Sequence, residues 1–313
     1  MDQPSIKISI VTTLYNSASY IGDFYKRIRS ETEKITQEYE IILVDDCSPD
    51  NSLELALRIC SSDTRVKVIE LARNFGHHRA MMTGLEKATG ELVFLIDSDL
   101  EEPPELLGQF YALLTQGNWD VVYGCQEQRK GGYFERWSGV LAWWLVDYLI
   151  PVKIPHNHST VRLMKRPYVR SLILHKEQKT AIGGLWVLTG FKQTGVKFTK
   201  GSRSKTSYSF TARLIALMDS VTSFSERPLF FVFFLGVGIF SLSIAVTIAL
   251  LFLLIAGKTL PGWLSVMASV WLLGGLVILS IGIVGLYTSR IFVETRMRPY
   301  SIIRAIHQMQ NDK

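Results

Sequence analysis

Two aspartates separated by one residue follow an apolar run in the first third of the chain. The run LVFLI at 92–96 is followed by Asp97, Ser98 and Asp99. One such carboxylate can face a ligand while the other binds a divalent ion that bridges a diphosphate. A nucleoside diphosphate that leaves a sugar develops negative charge, which Mg²⁺ or Mn²⁺ would neutralise in the transition state. The pattern suits sugar transfer, although this spacing alone occurs in many unrelated chains.

Three more polar clusters stand where predicted strands end. They are Tyr15 with Asn16, Asp45 with Asp46, and Arg73 with Asn74. Each alone is also typical of a strand-end turn or a helix cap. Because ligands of open α/β sheets bind at the carboxyl ends of the strands, the four clusters together favour one ligand site.

Short strands alternate with helices in the segment that must position these clusters. The predicted strands are 6–14, 39–44, 66–71, 91–96 and 120–123, and the predicted helices are 18–32, 52–61, 78–88 and 105–116. This alternation predicts an α/β fold with a mainly parallel sheet. It fades between residues 131 and 201, where the short apolar segment 140–150 fits either an interfacial helix or a buried amphipathic helix.

Two long apolar runs, 229–256 and 263–289, follow this part of the chain. Lys258 is the one charged residue between Pro228 and Ser289, and each run exceeds the roughly 20 residues that span a bilayer. A buried core hairpin is the alternative, but a soluble core helix rarely stays apolar on every face for so long. The runs therefore predict a transmembrane hairpin with a short turn at 257–262.

Basic residues flank this hairpin on the side of both chain ends. They are Arg213 and Arg227 before it, and Arg290, Arg296, Arg298 and Arg304 after it. The positive-inside rule then places both termini in the cytoplasm and makes the α/β domain cytosolic. The start of the chain has no secretory signal pattern, and Cys47, Cys60 and Cys125 have no metal-ligand spacing, as expected for thiols in a reducing compartment.

The chain is basic, with a formal net charge of +6. This charge suits a surface that faces anionic lipid and phosphorylated ligands. Because no basic run or nucleic-acid motif accompanies the charge, nucleic acid is not an expected partner.

Seven segments in a fixed order carry a specific resemblance. They are TLYNS (13–17), VDDCSPDNS (44–52), LARNFGHHRAMMTGL (71–85), LIDSDLEEPPEL (95–106), DVVYG (120–124), VTSFSERPL (221–229) and ETRMRPY (294–300). Over nearly its whole length the chain resembles the family 2 polyprenyl-phosphate glycosyltransferases, such as dolichol-phosphate mannose synthase and the bactoprenol-phosphate sugar transferases. The resemblance implies a GT-A nucleotide-sugar-binding fold, a UDP- or GDP-sugar donor, a lipid-phosphate acceptor and inversion at the anomeric carbon.

The resemblance also implies roles for the matching residues. Asp46, supported by Asp45, would read the base, and Asp99 and Glu101 would bind Mg²⁺ or Mn²⁺. The catalytic set is Asp97, Asp99 and Arg162, and the nucleotide-sugar set is Thr13, Tyr15, Asn16, Asp45, Asp46, Asn74, Asp97 and Ser98. The candidates for contact with the acceptor or the diphosphate are Arg129, Arg136, Lys200, Arg203 and Lys205. The last three belong to a basic loop, which also suits contact with anionic lipid.

Several positions depart from the family pattern. Thr160 stands where relatives often have an aspartate two residues before the arginine that matches Arg162. No general base is therefore assigned, since a phosphate monoester is already ionised near neutral pH and can attack without losing a proton. Ser17, Cys47 and Ser207 also differ from common residues, which weakens assignment of the donor. His77 and His78 have no accompanying ligand cluster, so a metal role is not expected.

These observations predict the following organisation: a cytosolic GT-A domain at 1–212, a juxtamembrane segment at 213–228, the two spans, and a cytosolic basic tail at 290–313. The predicted function is transfer of one sugar, preferably from a UDP-sugar, to undecaprenyl phosphate at the cytoplasmic face of a bacterial plasma membrane, for cell-surface polysaccharide or lipid modification. The alternatives are a processive polysaccharide synthase and a non-catalytic scaffold or flippase component. The resemblance and glycines in both spans predict a homo-oligomer, with a tetramer as one option.

Overall fold

The computed structural model describes residues 6–126, 157–177, 182–201, 225, 227–256 and 262–309. The chain divides into two compact units. The α/β unit comprises Met1–Arg136, Val152–Tyr208 and Arg298–Lys313, and the helical unit comprises Trp137–Pro151 and Ser209–Met297. Several predictions concern residues outside the described ranges, namely the interfacial helix at 140–150, most of the juxtamembrane segment, and all of the 257–262 turn except Gly262.

Eight strands form one mixed sheet in the α/β unit. They are β1 (Ile8–Leu14), β2 (Tyr39–Asp45), β3 (Val66–Leu71), β4 (Leu92–Leu95), β5 (Val121–Gln126), β6 (His158–Lys165), β7 (Gln193–Phe198) and β8 (Ile303–Gln308). Their order across the sheet is β7-β5-β6-β4-β1-β2-β3-β8. The α/β class predicted from the sequence is confirmed.

The four strands that carry the candidate clusters are adjacent and parallel. Strand β1 pairs in parallel with β2 and with β4, and β2 pairs in parallel with β3. In register, Thr13 lies opposite Val44, and Val11 lies opposite Leu95. The carboxyl ends of β1 to β4 therefore meet at one edge of the sheet.

Amphipathic helices cover this sheet. They are α1 (Ile21–Glu33), α2 (Ser52–Cys60), α3 (His77–Lys87), α4 (Leu106–Gln116), α5 (Arg166–Leu172) and α6 (Ile182–Leu188). In α1 the buried side chains Ile21, Phe24 and Ile28 recur at helical spacing, which gives one apolar face toward the core. Every residue of β1 and β2 is buried, as expected for central strands covered on both faces.

Helix α3 lies unusually close to the sheet. A Cβ atom at Gly84 would stand 2.5 Å from Val11 Cγ1 and 2.9 Å from Val44 Cγ2. Both valines are fully buried, so their methyl groups have no room to give. Glycine at position 84 thus sets the distance between α3 and the ends of β1 and β2.

The chain also contains strands that the sequence pattern did not predict. Strand β6 runs antiparallel between β4 and β5, and β7 pairs in parallel with β5. Strand β8 lies in the 290–313 segment, which was expected as a basic tail, and pairs antiparallel with β3 at the edge of the sheet. The end of the chain thus contributes to the same sheet as its beginning.

The helical unit contains α7 (Arg227–Ile255) and α8 (Trp263–Thr295). Both are long and apolar enough to cross a membrane, and none of the residues in their most apolar windows is buried. They match the runs predicted as spans, although α8 continues six residues past the predicted end at 289. Within this unit the Tyr287 hydroxyl donates to the Ser225 carbonyl oxygen at 2.6 Å.

Candidate functional site

The strand-end residues form a connected network at the carboxyl edge of β1 to β4. Asp46 follows β2 and is 2% exposed. Its carboxylate accepts hydrogen bonds from the backbone N–H groups of Phe75 at 2.7 Å and Gly76 at 2.9 Å. Burial raises the pKa of Asp46, and these two N–H groups oppose the rise. The carboxylate predicted to read a base therefore holds the loop between β3 and α3.

Asp45, the last residue of β2, is also buried. Burial raises its pKa to about 6, although N–H groups of Ser48 and Cys47 act in the opposite direction. Next to it, the Asn16 N–H donates to Ser48 Oγ at 2.8 Å, and Asn16 has a left-handed backbone with φ of 53°. Asparagine is one of the residues that tolerate this conformation. Tyr15 beside it is exposed, in a position to meet a ligand.

His77 joins the ends of β1 and β4. Its Nδ1 lies 3.0 Å from Thr13 Oγ1, and its Nε2 lies 3.3 Å from Asp97 Oδ1. Burial lowers the pKa of His77, but the hydrogen bond to Asp97 and the nearby carboxylates raise it more, so the net pKa is raised. From the sequence His77 was considered only as a metal ligand, so this bridge was not predicted.

Ser98 also links the ends of β1 and β4, on the inner side of the sheet edge. Its hydroxyl donates to the Thr13 carbonyl oxygen at 2.9 Å and lies 3.0 Å from Ser17 Oγ. Ser98 is 4% exposed, so its side chain faces the protein. Asn74, in the loop after β3, is exposed. The structure thus brings Thr13, Asp97 and Ser98 together and leaves Asn74 on the surface nearby.

Asp99 and Glu101 follow β4 on a tight turn. Asp99 Oδ1 accepts from the Glu101 N–H at 3.1 Å, and Leu100 between them has a φ of 59°, a strained value for a leucine. Lys200 Nζ lies 2.6 Å from Glu101 Oε2, and the N–H of Gly201 donates to the Glu101 carbonyl oxygen at 2.8 Å. Burial lowers the pKa of Lys200, but the pair with Glu101 outweighs it and raises the pKa.

Glu102, which the sequence analysis did not select, lies directly behind this turn. It is 1% exposed, and the Ser159 hydroxyl donates to its Oε1. Burial, together with the charge of Asp97, raises the pKa of Glu102 to about 7. Its position was not predictable from spacing, because Ser159 reaches it from β6, a strand that the sequence pattern did not reveal.

Arg162 on β6 is the largest fully buried side chain in the described part of the chain, with 1% exposure. Its Nε donates to the Thr160 carbonyl oxygen at 3.1 Å and its Nη2 to the Ser159 carbonyl oxygen at 3.2 Å. The guanidinium carbon lies 3.0 Å from the centre of the Trp186 ring, and burial lowers the pKa of Arg162 to about 10. The buried Arg162 thus holds the backbone of β6 at Ser159 and Thr160, next to Glu102.

The carboxylates after β4 are suitable ligands for a hard divalent cation. Among the described residues no group of three or more His, Cys, Asp or Glu side chains is arranged as a complete metal cage. Mg²⁺ commonly binds through one or two carboxylates plus the phosphates of a substrate, so Asp99 and Glu101 fit that mode. The remaining predicted contact residues, Arg129, Arg136, Arg203 and Lys205, lie outside the described residues.

Comparison with known proteins identifies a family and several relatives. The family model described as glycosyl transferase family 2 matches residues 9–173, a segment that contains all four strand ends. A Mycobacterium tuberculosis protein that carries the name "Putative glycosyltransferases" is 47% identical over 96% of this chain and 89% of that protein. The Bacillus subtilis glycosyltransferase YkcC is 31% identical over 98% of this chain and 96% of that protein. The SfII prophage-derived bactoprenol glucosyl transferase of Shigella flexneri is 28% identical over 97% of this chain and 99% of that protein.

Proposed function

Because the chain belongs to glycosyl transferase family 2, with the GT-A fold, we propose that it transfers one sugar from a UDP-sugar to undecaprenyl phosphate. The products are UDP and a lipid-linked monosaccharide, with inversion at the anomeric carbon. The main support for the proposal is one observation. The chain combines a carboxylate site at the sheet edge with two apolar helices that are not buried. The site suits a nucleotide sugar, and the helices suit an acceptor that resides in a bilayer.

The donor occupies the edge formed by β1, β2 and β4 in this proposal. Thr13, Tyr15 and Asn16 contact the nucleotide, and Asp97 contacts the donor. Asp99 and Glu101 hold Mg²⁺ or Mn²⁺, which supplies charge neutralisation for the departing diphosphate. Lys200, already paired with Glu101, adds a cation on the same side. Positive charge aimed at a developing negative charge is the main source of catalysis in such a site.

The acceptor needs little activation by the protein. A phosphate monoester is ionised near neutral pH, so the reaction requires positioning more than proton removal. This agrees with Thr160, a residue that cannot act as a carboxylate base. From the sequence we propose that Arg129, Arg136, Arg203 and Lys205 contribute contacts to the acceptor phosphate or the diphosphate. The buried Arg162 supports the site through β6.

The membrane assignment rests on α7 and α8. Their large side chains are exposed along most of each helix, and such a surface is stable in hydrocarbon but not in water. A relative with similar length is named for transfer of glucose to bactoprenol, a lipid carrier. We therefore propose a bacterial plasma membrane location with two spans, both termini in the cytoplasm, and a homo-oligomeric state.

A transfer assay in detergent tests the function. The purified full chain is given undecaprenyl phosphate with radiolabelled UDP-glucose, UDP-galactose, UDP-N-acetylhexosamines or GDP-mannose, with Mn²⁺ or with chelator. We expect label in the lipid with one UDP-sugar and no label with chelator. Asp99→Asn should abolish transfer, whereas Asp23→Asn, an exposed aspartate on α1, should retain it.

Other results of this assay would contradict or change the proposed function. Transfer that persists in Asp99→Asn or in chelator contradicts the proposed site. Long polymer in the product identifies a processive synthase instead. A preparation that binds UDP yet labels no lipid with any donor of the panel points to an unusual donor, such as an amino- or deoxy-sugar, or to a non-catalytic scaffold.

A further inference from the structure

His77 makes contacts that the proposed reaction leaves without a role. An ionised carboxylate such as Asp97 can only accept hydrogen bonds, so the Nε2 of His77 must carry the proton between them. In the neutral ring Nδ1 then accepts from the Thr13 hydroxyl, 3.0 Å away. One imidazole thus ties a proposed donor contact at the end of β4 to a proposed nucleotide contact at the end of β1.

The protein also controls where His77 stands. Two N–H groups of the preceding loop, those of Phe75 and Gly76, are held by the buried Asp46 carboxylate. Gly76 has a φ of 96°, a conformation that favours glycine, and α3 begins at the next residue. Gly84 then keeps α3 close to β1 and β2. The backbone of His77, at the start of α3, is therefore placed by three separate constraints.

We propose that His77 is a positioning residue of the donor site, which holds the Asp97 carboxylate in the orientation that binds the nucleotide sugar. The inference rests on the proposed role of Asp97 as a donor contact. Asp97 is partly exposed and its charge acts on the buried Glu102, so its side chain has both room and an electrostatic reason to adopt other rotamers. The hydrogen bond to His77 removes that freedom before the donor arrives, which lowers the ordering cost of binding.

Two amide variants separate the two contacts of the ring. The His77→Gln amide nitrogen reaches the region of Nε2 and can still donate to Asp97, whereas the shorter His77→Asn amide stays near Nδ1 and can contact only Thr13. We expect His77→Asn and His77→Ala to weaken UDP-glucose binding about tenfold or more, as for loss of a hydrogen bond to a charged group. His77→Gln should remain within about threefold of the wild type, a smaller loss than that of such a bond.

The full chain in detergent serves for these measurements, with UDP-glucose and Mn²⁺ in calorimetry and the active donor of the panel in transfer kinetics. The expected kinetic change is a raised donor KM with a smaller change in kcat. His175→Ala is the matched control, a histidine that follows α5 and is not among the residues proposed to contact the donor. Melting temperatures check that the variants fold.

The outcomes distinguish this inference from the proposed function. Wild-type affinity and KM in His77→Asn overturn the inference, and so does a loss in His77→Gln equal to that in His77→Ala. Even if His77→Ala is unstable, the comparison of the two amides decides. Wild-type protein that binds UDP-glucose but does not glycosylate undecaprenyl phosphate contradicts the acceptor and leaves the His77 comparison intact, because donor binding needs no lipid.

Discussion

Asp45 and Asp50 lie five residues apart, and their surroundings shift their pKa values in opposite directions. Burial raises the pKa of Asp45 to about 6. Burial also acts on Asp50, but the hydroxyls of Ser48 and Ser52 and two backbone N–H groups outweigh it and lower the pKa to about 2. The charged form of Asp45 is thus disfavoured by folding, whereas that of Asp50 is favoured.

These shifts predict a pH-dependent stability. The native state holds a proton on Asp45 up to about pH 6, whereas the unfolded chain releases it near 3.8, so stability falls as pH rises through this window. The slope reaches at most about 1.4 kcal/mol per pH unit. Asp45→Asn should remove this pH-dependent loss of stability. We therefore expect the melting temperature of the variant minus that of the wild type to increase from pH 4.5 to pH 6.5.

Asp50→Asn is the control with the opposite shift. The ionised Asp50 carboxylate stabilises the native state fully above pH 3.8, its pKa in the unfolded chain. This stabilisation is lost only as pH falls toward about 2. We therefore expect Asp50→Asn to lower the melting temperature by a constant amount from pH 4.5 to pH 6.5. A difference between Asp45→Asn and the wild type that does not change with pH would contradict the assignment to Asp45.

For individual side chains, the sequence predicted where polar groups gather but not which contacts they make. The position of Asp97 and Asp99 after an apolar strand was sufficient to place them at the sheet edge. The internal use of the Asp46 carboxylate depends on a loop that approaches from β3, and the contact of His77 with Asp97 depends on packing between α3 and β4. Such contacts between distant segments leave no periodic signal in one sequence.

Among the elements, α3 has the strongest effect on the site because its first residue is His77. Gly84→Ala would place a methyl group against Val11 and Val44, which are fully buried. We expect this substitution to lower stability by about 1–3 kcal/mol and to raise the KM for the donor, since α3 must move away from the sheet. Thermal unfolding and transfer kinetics measure the two effects.

Gly108→Ala is the matched substitution in another helix. No atom lies within 4 Å of a Cβ built at Gly108 in α4. Alanine in an open helical position should stabilise the protein by about 0.5–1 kcal/mol, with no change in donor KM. Equal effects of the two substitutions would show that close approach of α3 to the sheet is not the cause.

Strand β8 covers the β3 edge of the sheet, and Tyr300 and Ser301, just before β8, contact α3. The Ser301 and Thr83 hydroxyl oxygens lie 2.7 Å apart, and the Tyr300 hydroxyl donates to the His78 carbonyl oxygen at 3.3 Å. Arg304 and His307 both approach Glu70 on β3. The return of the chain after α8 therefore supports the helix that carries His77.

Deletion of residues 301–313 should show this contribution. The loss exposes the unpaired β3 edge, so we expect the melting temperature to fall by at least about 5 °C and soluble aggregates to increase. Deletion of residues 310–313 alone leaves β8 whole and should have little effect. Size-exclusion chromatography and thermal unfolding in detergent compare the two, and an equal melting temperature for both deletions would contradict a structural role of β8.

The elements that the sequence predicted best are the ones buried on both sides. Strands β1 to β3 and helices α1 to α4 were predicted within a few residues of their bounds, because short, mostly buried strands alternate there with amphipathic helices. Strand β8 alternates half-buried with exposed residues and contains no fully buried one. Its sequence, IRAIHQ, contains the polar residues typical of a solvated tail. Only its pairing with β3 makes it a strand.

The two units differ in the surfaces that they expose. The α/β unit buries most of its large apolar side chains, whereas α7 and α8 expose theirs. The sequence alone predicted this division, since two long runs without a charged residue are a strong signal. The orientation of the hairpin is a further proposal, which depends only on the arginines that flank it.

Labelling with a membrane-impermeant maleimide tests that orientation. Cys47 is exposed on the α/β unit, whereas Cys60 is buried and Cys125 is half-buried. If this unit faces the cytoplasm, Cys47 should react in inside-out vesicles and not in right-side-out vesicles, and Cys47→Ser should remove most of the signal. In the Cys47→Ser background, Lys258→Cys should show the reverse, because the predicted turn faces outward.

The two positions must react from opposite sides if the chain crosses the bilayer twice with its ends in the cytoplasm. Reaction of both from the same side would contradict the hairpin, and reaction of Cys47 only in right-side-out vesicles would invert the proposed orientation. An outward-facing α/β unit would also lack access to UDP-sugars, which are made in the cytoplasm. The labelling pattern therefore constrains the donor chemistry as well as the topology.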